Sequence, residues 1–179
     1  HVADPFFAQR RATNAAVTLD HALRQLEEVG TLPNYDLAAK GLHAGYRGPV
    51  YQDSDLYKAL EAVACALAED RDPALAARLD AIIARLCAAQ RPDGYLNTSY
   101  IVEAKRERFT NLRDDHELYC AGHLFEAAVA HLRATGKRTL LDIAVKYADL
   151  LVRTFGDTDG ALRGYGGHPE IELALVKLA

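Results

Sequence analysis

Asp55-Leu56-Tyr57 and Glu117-Leu118-Tyr119 are two copies of one acidic–Leu–Tyr triplet that lie 62 positions apart (55 and 117). Two further matches share this offset: Leu79-Asp80 with Leu141-Asp142, and Gly94 with Gly156. Each triplet begins a stretch in which apolar residues recur at helical spacing; a second such stretch follows, and a glycine ends it. A fixed period of this kind is typical of helix-hairpin repeats, in which each hairpin buries its apolar stripe only against a neighbour. The sequence therefore predicts an all-α fold built from helix hairpins.

The apolar spacing also predicts where the helices lie. They are expected over residues 11–28, 54–69, 73–90, 114–134, 138–155 and 170–179. Asp114 is predicted to cap the fourth of these, with Glu117 completing a capping box. Residues 30–51 are polar and contain glycines, so they are predicted to be irregular. Residues 95–113 show no helical period and are predicted to be irregular or to form a short extended segment.

Length and composition restrict the class of protein. The 179 residues are 50% hydrophobic and 26% charged with a net charge of −4, which is the balance of a globular protein of about one domain. Because no basic stripe dominates and no run approaches the ~20 apolar residues of a membrane span, we expect neither a nucleic-acid nor a membrane partner. His1 stands where an open reading frame has Met, so the chain is expected to be part of a longer protein.

Cys65, Cys87 and Cys120 are the three cysteines, and their number and spacing fit neither a disulfide framework nor a CxxC metal site. Each falls in a predicted helix, so we expect three small buried hydrophobic side chains. Unpaired thiols favour a reducing compartment, and the predicted localisation is therefore cytoplasmic.

The repeat also places polar residues at one end of successive hairpins. Asp53, His116, His168 and Glu170 all lie at or just before the first helix of a unit, so stacked units bring them to one rim. Carboxylates, imidazoles and helix N-termini at one rim suit a polyhydroxylated ligand, and these four residues are the predicted carbohydrate-binding residues. Asp53 and Glu170 also have a simpler explanation, since carboxylates in the first turn of a helix interact favourably with the helix dipole. Tyr95 and Tyr100 are further candidates, for stacking on a sugar ring.

Four longer motifs occur in a characteristic order. They are Tyr51-Gln52-Asp53-Ser54-Asp55-Leu56-Tyr57-Lys58, Gln90-Arg91-Pro92-Asp93-Gly94-Tyr95-Leu96, His116-Glu117-Leu118-Tyr119-Cys120-Ala121-Gly122-His123 and Gly167-His168-Pro169-Glu170-Ile171-Glu172-Leu173-Ala174-Leu175. Together they resemble the N-terminal part of the β-L-arabinofuranosidases of glycoside hydrolase family 127. The resemblance covers essentially the whole chain, from Asp4-Pro5-Phe6 onward.

The resemblance implies an (α/α)6 barrel, or toroid, of six hairpins, of which residues 1–179 would supply the N-terminal portion, about half. It implies release of β-L-arabinofuranose from plant glycans with retention of configuration, by a zinc-bound cysteine nucleophile and a glutamate acid/base. In the family these groups lie beyond the last motif present here. We therefore expect no catalytic residue and no bound zinc in this chain, and an isolated chain that is inactive. The residues of the family that match His116 and His168 contact the sugar.

Two other readings remain open at this stage. The chain could be a non-catalytic helical-repeat module that binds a carbohydrate or a protein, or part of a sugar epimerase or unsaturated-uronide hydrolase on a similar ring. In the first reading a homo-oligomer partner covers the open apolar flank, whereas in the glycosidase reading the remaining half of the barrel covers it.

Overall fold

The structure is a computed structural model that describes residues 4–179, and it confirms the predicted all-α class. The described helices are α1 (Pro5–Thr13), α2 (Leu19–Glu28), α3 (Thr31–Ala39), α4 (Gln52–Glu69), α5 (Pro73–Ala89), α6 (Thr98–Glu103), α7 (Glu117–Thr135), α8 (Thr139–Thr154) and α9 (Glu170–Leu178). A π-helical turn, Asn14–Thr18, joins α1 to α2. Across residues 4–179 we find no helix with the combination of length and hydrophobicity that a membrane span needs.

The helices form two layers, as the repeat predicts. In the first layer α2 contacts α4, α4 packs along α7, and α7 packs along α9; in the second layer α3 contacts α5 and α5 contacts α8. The hairpins are thus α2–α3, α4–α5 and α7–α8, and α9 lies where the next hairpin begins. Large side chains fill the space between the layers, among them Leu60, Leu86, Phe125 and Tyr147.

Helix α3 corrects the prediction that residues 30–51 are irregular. Gly30 has a left-handed backbone (φ 100°) and precedes the helix, while Pro33 lies in the first turn, where no backbone N–H is needed. Gly30 and Pro33 commonly interrupt helices, and for this reason no helix was predicted here. Leu32, Tyr35 and Ala38 are nevertheless buried, because α3 packs on α5. The apolar face of a nine-residue helix is too short to stand out as a period before this packing is known.

The predicted capping box at the start of α7 is wrong. The helix begins at Glu117, and His116 before it has a left-handed backbone (φ 57°) and makes no side-chain cap. The Glu117 carboxylate points into the interior and accepts hydrogen bonds from the Tyr95 hydroxyl and the Phe109 amide. Leaving the Tyr95 hydroxyl and the Phe109 amide buried without an acceptor would cost more than the capping box with Asp114 would contribute.

Two of the three cysteines contradict the prediction that all are buried. Cys120 is buried on α7, whereas Cys65 on α4 and Cys87 on α5 are exposed. The buried positions of α4 and α5 form one stripe each; Cys65 lies on the opposite side of α4, and Cys87 lies just outside the stripe of α5. Helical periodicity of small residues alone did not distinguish the two faces.

Candidate functional site

The N-termini of α7 and α9 bring His116 and His168 together. The ring centroids are 4.9 Å apart and the rings are nearly perpendicular, at 82°. His116 directly precedes α7, and His168 is followed by Pro169 and then by α9. The two predicted rim histidines therefore lie in one place, although 52 residues separate them (116 and 168).

Three more rings join the two histidines, and we refer to Tyr51, His116, Tyr119, His123 and His168 as the aromatic–histidine cluster. Centroid distances are 5.3 Å from Tyr51 to His116, 5.1 Å from Tyr119 to His168 and 4.5 Å from Tyr119 to His123. Tyr51 and His168 are exposed, so the cluster has an open side. Such a surface offers imidazole nitrogens, a phenol and flat apolar faces to one ligand.

Two contacts add polar groups to this cluster. The Lys58 ammonium lies 4.9 Å from the centre of the Tyr119 ring. Nδ1 of His116 lies 2.5 Å from the backbone carbonyl oxygen of Asp114. Tyr119 lies one turn after His116 on the same helix face, which is the sequence signal that could have identified it; no role for it follows from the motifs.

Glu170 is brought to the cluster but faces α7 rather than the open side. Its Oε1 atom lies 3.2 Å from Nδ1 of His123, and both side chains are largely buried. Burial and the Lys58 charge lower the pKa of His123 to about 4, so the imidazole is neutral at pH 7 and the contact is not an ion pair. Burial also raises the pKa of the Glu170 carboxyl, helped by the Glu126 charge.

Asp53 lies below the surface and outside the cluster. It is 1% exposed; Oδ2 accepts from the Thr98 amide at 2.6 Å, and Oδ1 accepts from the Thr98 hydroxyl at 2.5 Å. Burial raises the pKa of Asp53 to about 6, although the Thr98 hydrogen bonds oppose the rise. The carboxylate thus ties the start of α4 to the start of α6.

The two tyrosines considered for stacking on sugar are core residues. Tyr95 is fully buried and its ring contacts those of Tyr100, Phe109 and Tyr147. Tyr100 is also buried, and its hydroxyl donates to Asp115 at 2.8 Å. The sequence predicted an irregular or short extended segment here, whereas Thr98–Glu103 forms α6 and both rings fold inward, so neither ring can stack on a ligand.

Comparison with known proteins identifies the family. The family described as beta-L-arabinofuranosidase, GH127 catalytic domain, matches residues 1–179. The chain belongs to this family. It is 46% identical over 149 residues to the non-reducing end beta-L-arabinofuranosidase of Bifidobacterium longum subsp. longum, a match that covers 81% of this chain and 23% of that protein.

Solved GH127 structures share the fold in detail. A GH127 beta-L-arabinofuranosidase from Geobacillus stearothermophilus T6 superposes with a TM-score of 0.96 at 45% identity, over 99% of this chain and 29% of that one. A second GH127 beta-arabinofuranosidase superposes with a TM-score of 0.95 at 36% identity, over 99% of this chain and 30% of that one. The chain therefore spans less than a third of the length of these relatives.

The zinc that the GH127 resemblance implies finds no fitting set of ligands among residues 4–179. Across residues 4–179, no group of three or more His, Cys, Asp or Glu side chains is placed to hold a metal ion. Cys120 is buried and its thiol donates to the Tyr51 carbonyl oxygen at 3.8 Å, while burial raises its pKa well above the ordinary value. A thiol held in this state is a poor ligand and a poor nucleophile.

Proposed function

We propose that this GH127 chain forms the part of a glycoside hydrolase that holds the sugar, and that the sugar is a terminal β-L-arabinofuranosyl unit. The observation that carries the proposal is the contact between His116 and His168 at the paired starts of α7 and α9. The substrate class comes from the relatives, since the curated protein at 46% identity is a non-reducing end beta-L-arabinofuranosidase.

His116 and His168 have the chemistry that this role requires. Imidazole nitrogens accept or donate hydrogen bonds, and a furanose offers several hydroxyl groups at fixed positions. Tyr51, which is exposed beside His116, adds a flat apolar surface for the carbon face of the sugar. We assign Glu170 and Asp53 a supporting role, because Glu170 lies against His123 and Asp53 is buried on Thr98.

We propose that the bond-breaking groups belong to another part of the protein. These groups are the zinc, the cysteine nucleophile and the glutamate acid/base of the retaining mechanism that the resemblance implies. Within residues 4–179 the polar groups form no metal-binding set, which supports this division. Isolated residues 1–179 should then bind sugar without cleaving it.

We further propose that the remaining helices of a GH127 barrel cover the open side of α8 and α9. An apolar groove of about 310 Å³ runs there between the two helices and residues 164–166. Val152, which lines this groove, is 75% exposed, and Val176 on α9 is 77% exposed, so apolar side chains on both helices face outward here. A second copy of the chain is the alternative occupant. The cytoplasmic localisation remains a prediction, supported by three free thiols in the described residues.

The proposal predicts loss of activity when either histidine is removed from the full-length protein. Each of His116→Ala and His168→Ala should lower kcat/KM on an aryl β-L-arabinofuranoside roughly 10- to 100-fold, since each removes a sugar hydrogen bond worth about 1–3 kcal/mol. Steady-state kinetics measures the change. His21→Ala is the matched control, because His21 is exposed on α2, away from the cluster.

The outcomes separate the competing functions. Wild-type kcat/KM in both histidine variants would exclude the proposed site. Full-length protein that cleaves an unsaturated uronide but no arabinofuranoside would reassign the substrate. Full-length protein that binds arabinofuranosides without turnover would indicate the non-catalytic module.

A further inference from the structure

The segment from Ala104 to His116 concentrates unusual backbone geometry. Three non-glycine residues among positions 4–179 have φ in the left-handed region: Ala104 (51°), Phe109 (62°) and His116 (57°). They lie at the beginning, the middle and the end of this one segment. Residues with a Cβ adopt this conformation infrequently, and such outliers cluster at binding and active sites.

Glu117 is the buried anchor of this segment. It is fully buried, and its Oε1 accepts from the Tyr95 hydroxyl at 2.5 Å while its Oε2 accepts from the Phe109 amide at 2.6 Å. Burial raises the pKa of Tyr95 well above its ordinary value, so the phenol keeps its proton and donates. Both carboxylate oxygens are thus occupied, and one of them holds the left-handed residue in the middle of the segment.

The anchor is not a requirement of the hairpin repeat. Asp55 occupies the repeat-related position on α4, yet its side chain is exposed and lies no nearer than 3.8 Å to Lys58. The buried acid of α4 is instead Asp53, two positions earlier, and it holds Thr98 rather than the segment that leads into its own helix. The burial of Glu117 belongs to the segment that leads into His116.

The backbone of His116 also determines the state of its ring. The left-handed turn brings Nδ1 to 2.5 Å from the carbonyl oxygen of Asp114. A carbonyl only accepts hydrogen bonds, so Nδ1 must carry the proton. In a neutral imidazole, Nε2 is then unprotonated and can only accept.

We propose that Glu117 is a positioning residue: by holding Phe109 and Tyr95 it fixes residues 104–116 so that His116 keeps a proton on Nδ1 and, in its neutral form, presents Nε2 as a hydrogen-bond acceptor in the aromatic–histidine cluster. The ligand group that meets Nε2 is then a hydrogen-bond donor, and a sugar hydroxyl satisfies this. The identity of that donor rests on the proposed function, whereas the positioning of the ring does not.

The experiment observes the His116 ring directly in the full-length protein. Histidine nitrogens are labelled with ¹⁵N, long-range ¹H–¹⁵N spectra are recorded near pH 8, and His116→Gln assigns the resonances. In the wild type, Nδ1 should be protonated and Nε2 unprotonated. In Glu117→Gln one acceptor becomes an amide NH2 that faces a donor, so the His116 signals should move toward a mixture of tautomers and KM for the arabinofuranoside should rise at least several-fold, with a smaller change in kcat.

Two variants keep the test decisive. Glu107→Gln is the matched control, because Glu107 is exposed in the same segment, and it should leave the His116 signals and KM unchanged. Tyr95→Phe removes one of the two donors and keeps the Phe109 amide, so it should give a weaker form of the same effect if Glu117→Gln does not fold.

Each result has a definite meaning. A wild-type His116 protonated at Nε2 overturns the inference, and so do unchanged His116 signals and KM in a Glu117→Gln protein whose Tm has fallen, since that outcome shows a structural role alone. If the tautomer shifts as expected but an arabinofuranoside does not perturb the His116 signals, the positioning role stands and the proposed function fails.

Discussion

At the residue scale, acidic side chains at helix starts have roles that differ from their usual surface role. Asp53 and Glu117 both lie in a first turn, where carboxylates commonly remain in solvent and favour the helix dipole. Here both are buried, and each holds a backbone amide of another segment, Thr98 for Asp53 and Phe109 for Glu117. These two carboxylates therefore connect helix starts to the segments between hairpins.

The Thr98 contact predicts different stabilities for two substitutions of Asp53. Asp53→Ala should lower the free energy of unfolding by about 1–3 kcal/mol, because the Thr98 amide is left buried without an acceptor. Asp53→Asn keeps one acceptor oxygen, and its NH2 can donate to the Thr98 hydroxyl, so it should be more stable than the alanine variant at every pH. Chemical denaturation measures both values, and equal stability of the two variants would contradict the assignment of these hydrogen bonds.

The raised pKa of Asp53 gives this comparison a pH dependence. With a folded-state pKa of about 6, the carboxyl binds a proton more readily in the folded than in the unfolded chain. Its contribution to stability is therefore complete below the ordinary pKa of an aspartate, about 4, and is lost as the pH rises through 6. Asp53→Asn lacks this titration, so its stability relative to the wild type should increase from pH 4 to pH 7.

At the scale of elements, the site depends on how closely α9 approaches α7. Gly122 lies on α7 where α9 begins, and a Cβ at this position would lie 2.7 Å from Cγ of Glu170 and 3.1 Å from the backbone nitrogen of Ile171. Only a residue without a side chain allows this crossing, and the crossing places His168 beside His116.

Gly122→Ala should therefore affect both stability and the site. The start of α9 must shift to admit the methyl group, which should cost about 1–3 kcal/mol of stability, and the move of His168 should raise KM for the arabinofuranoside. Denaturation and kinetics on the full-length protein measure the two effects. Gly156→Ala is the control, since its nearest neighbour, Cβ of Ala161, would be 3.9 Å away; a similar loss in both variants would show that the close crossing is not the cause.

At the scale of the whole molecule, the two layers end in an exposed apolar surface on α8 and α9. In a repeat fold each hairpin is stabilised by packing against the hairpins on either side of it. Helices α4 and α7 have such neighbours on both sides within their layer. Helix α9 has such a neighbour only at α7 within the described residues, and Val176 on it is largely exposed. The proposed remainder of a GH127 barrel would complete its burial.

Val176→Asp tests that proposal by comparing two lengths of protein. If further helices cover Val176, the substitution buries an unpaired charge and should lower the stability of the full-length protein by roughly 2–5 kcal/mol. In residues 1–179 alone the side chain faces water, so the change should stay within about 0.5 kcal/mol. Thermal and chemical unfolding of both proteins gives the comparison, and a small effect in the full-length protein would mean that α9 remains exposed there.

The sequence by itself determined the hairpin repeat, most helix ends and the shared position of His116 and His168. These features depend on local signals, namely apolar spacing, the glycine at 136 and the proline at 169, together with one repeated offset. Only the tertiary structure decided that Thr31–Ala39 is helical, that Cys65 and Cys87 are exposed, and that Glu117 and Asp53 are buried anchors. These outcomes depend on partners distant in the chain, since a carboxylate is buried only where donors such as Thr98 or Tyr95 converge on it, and no local pattern records that convergence.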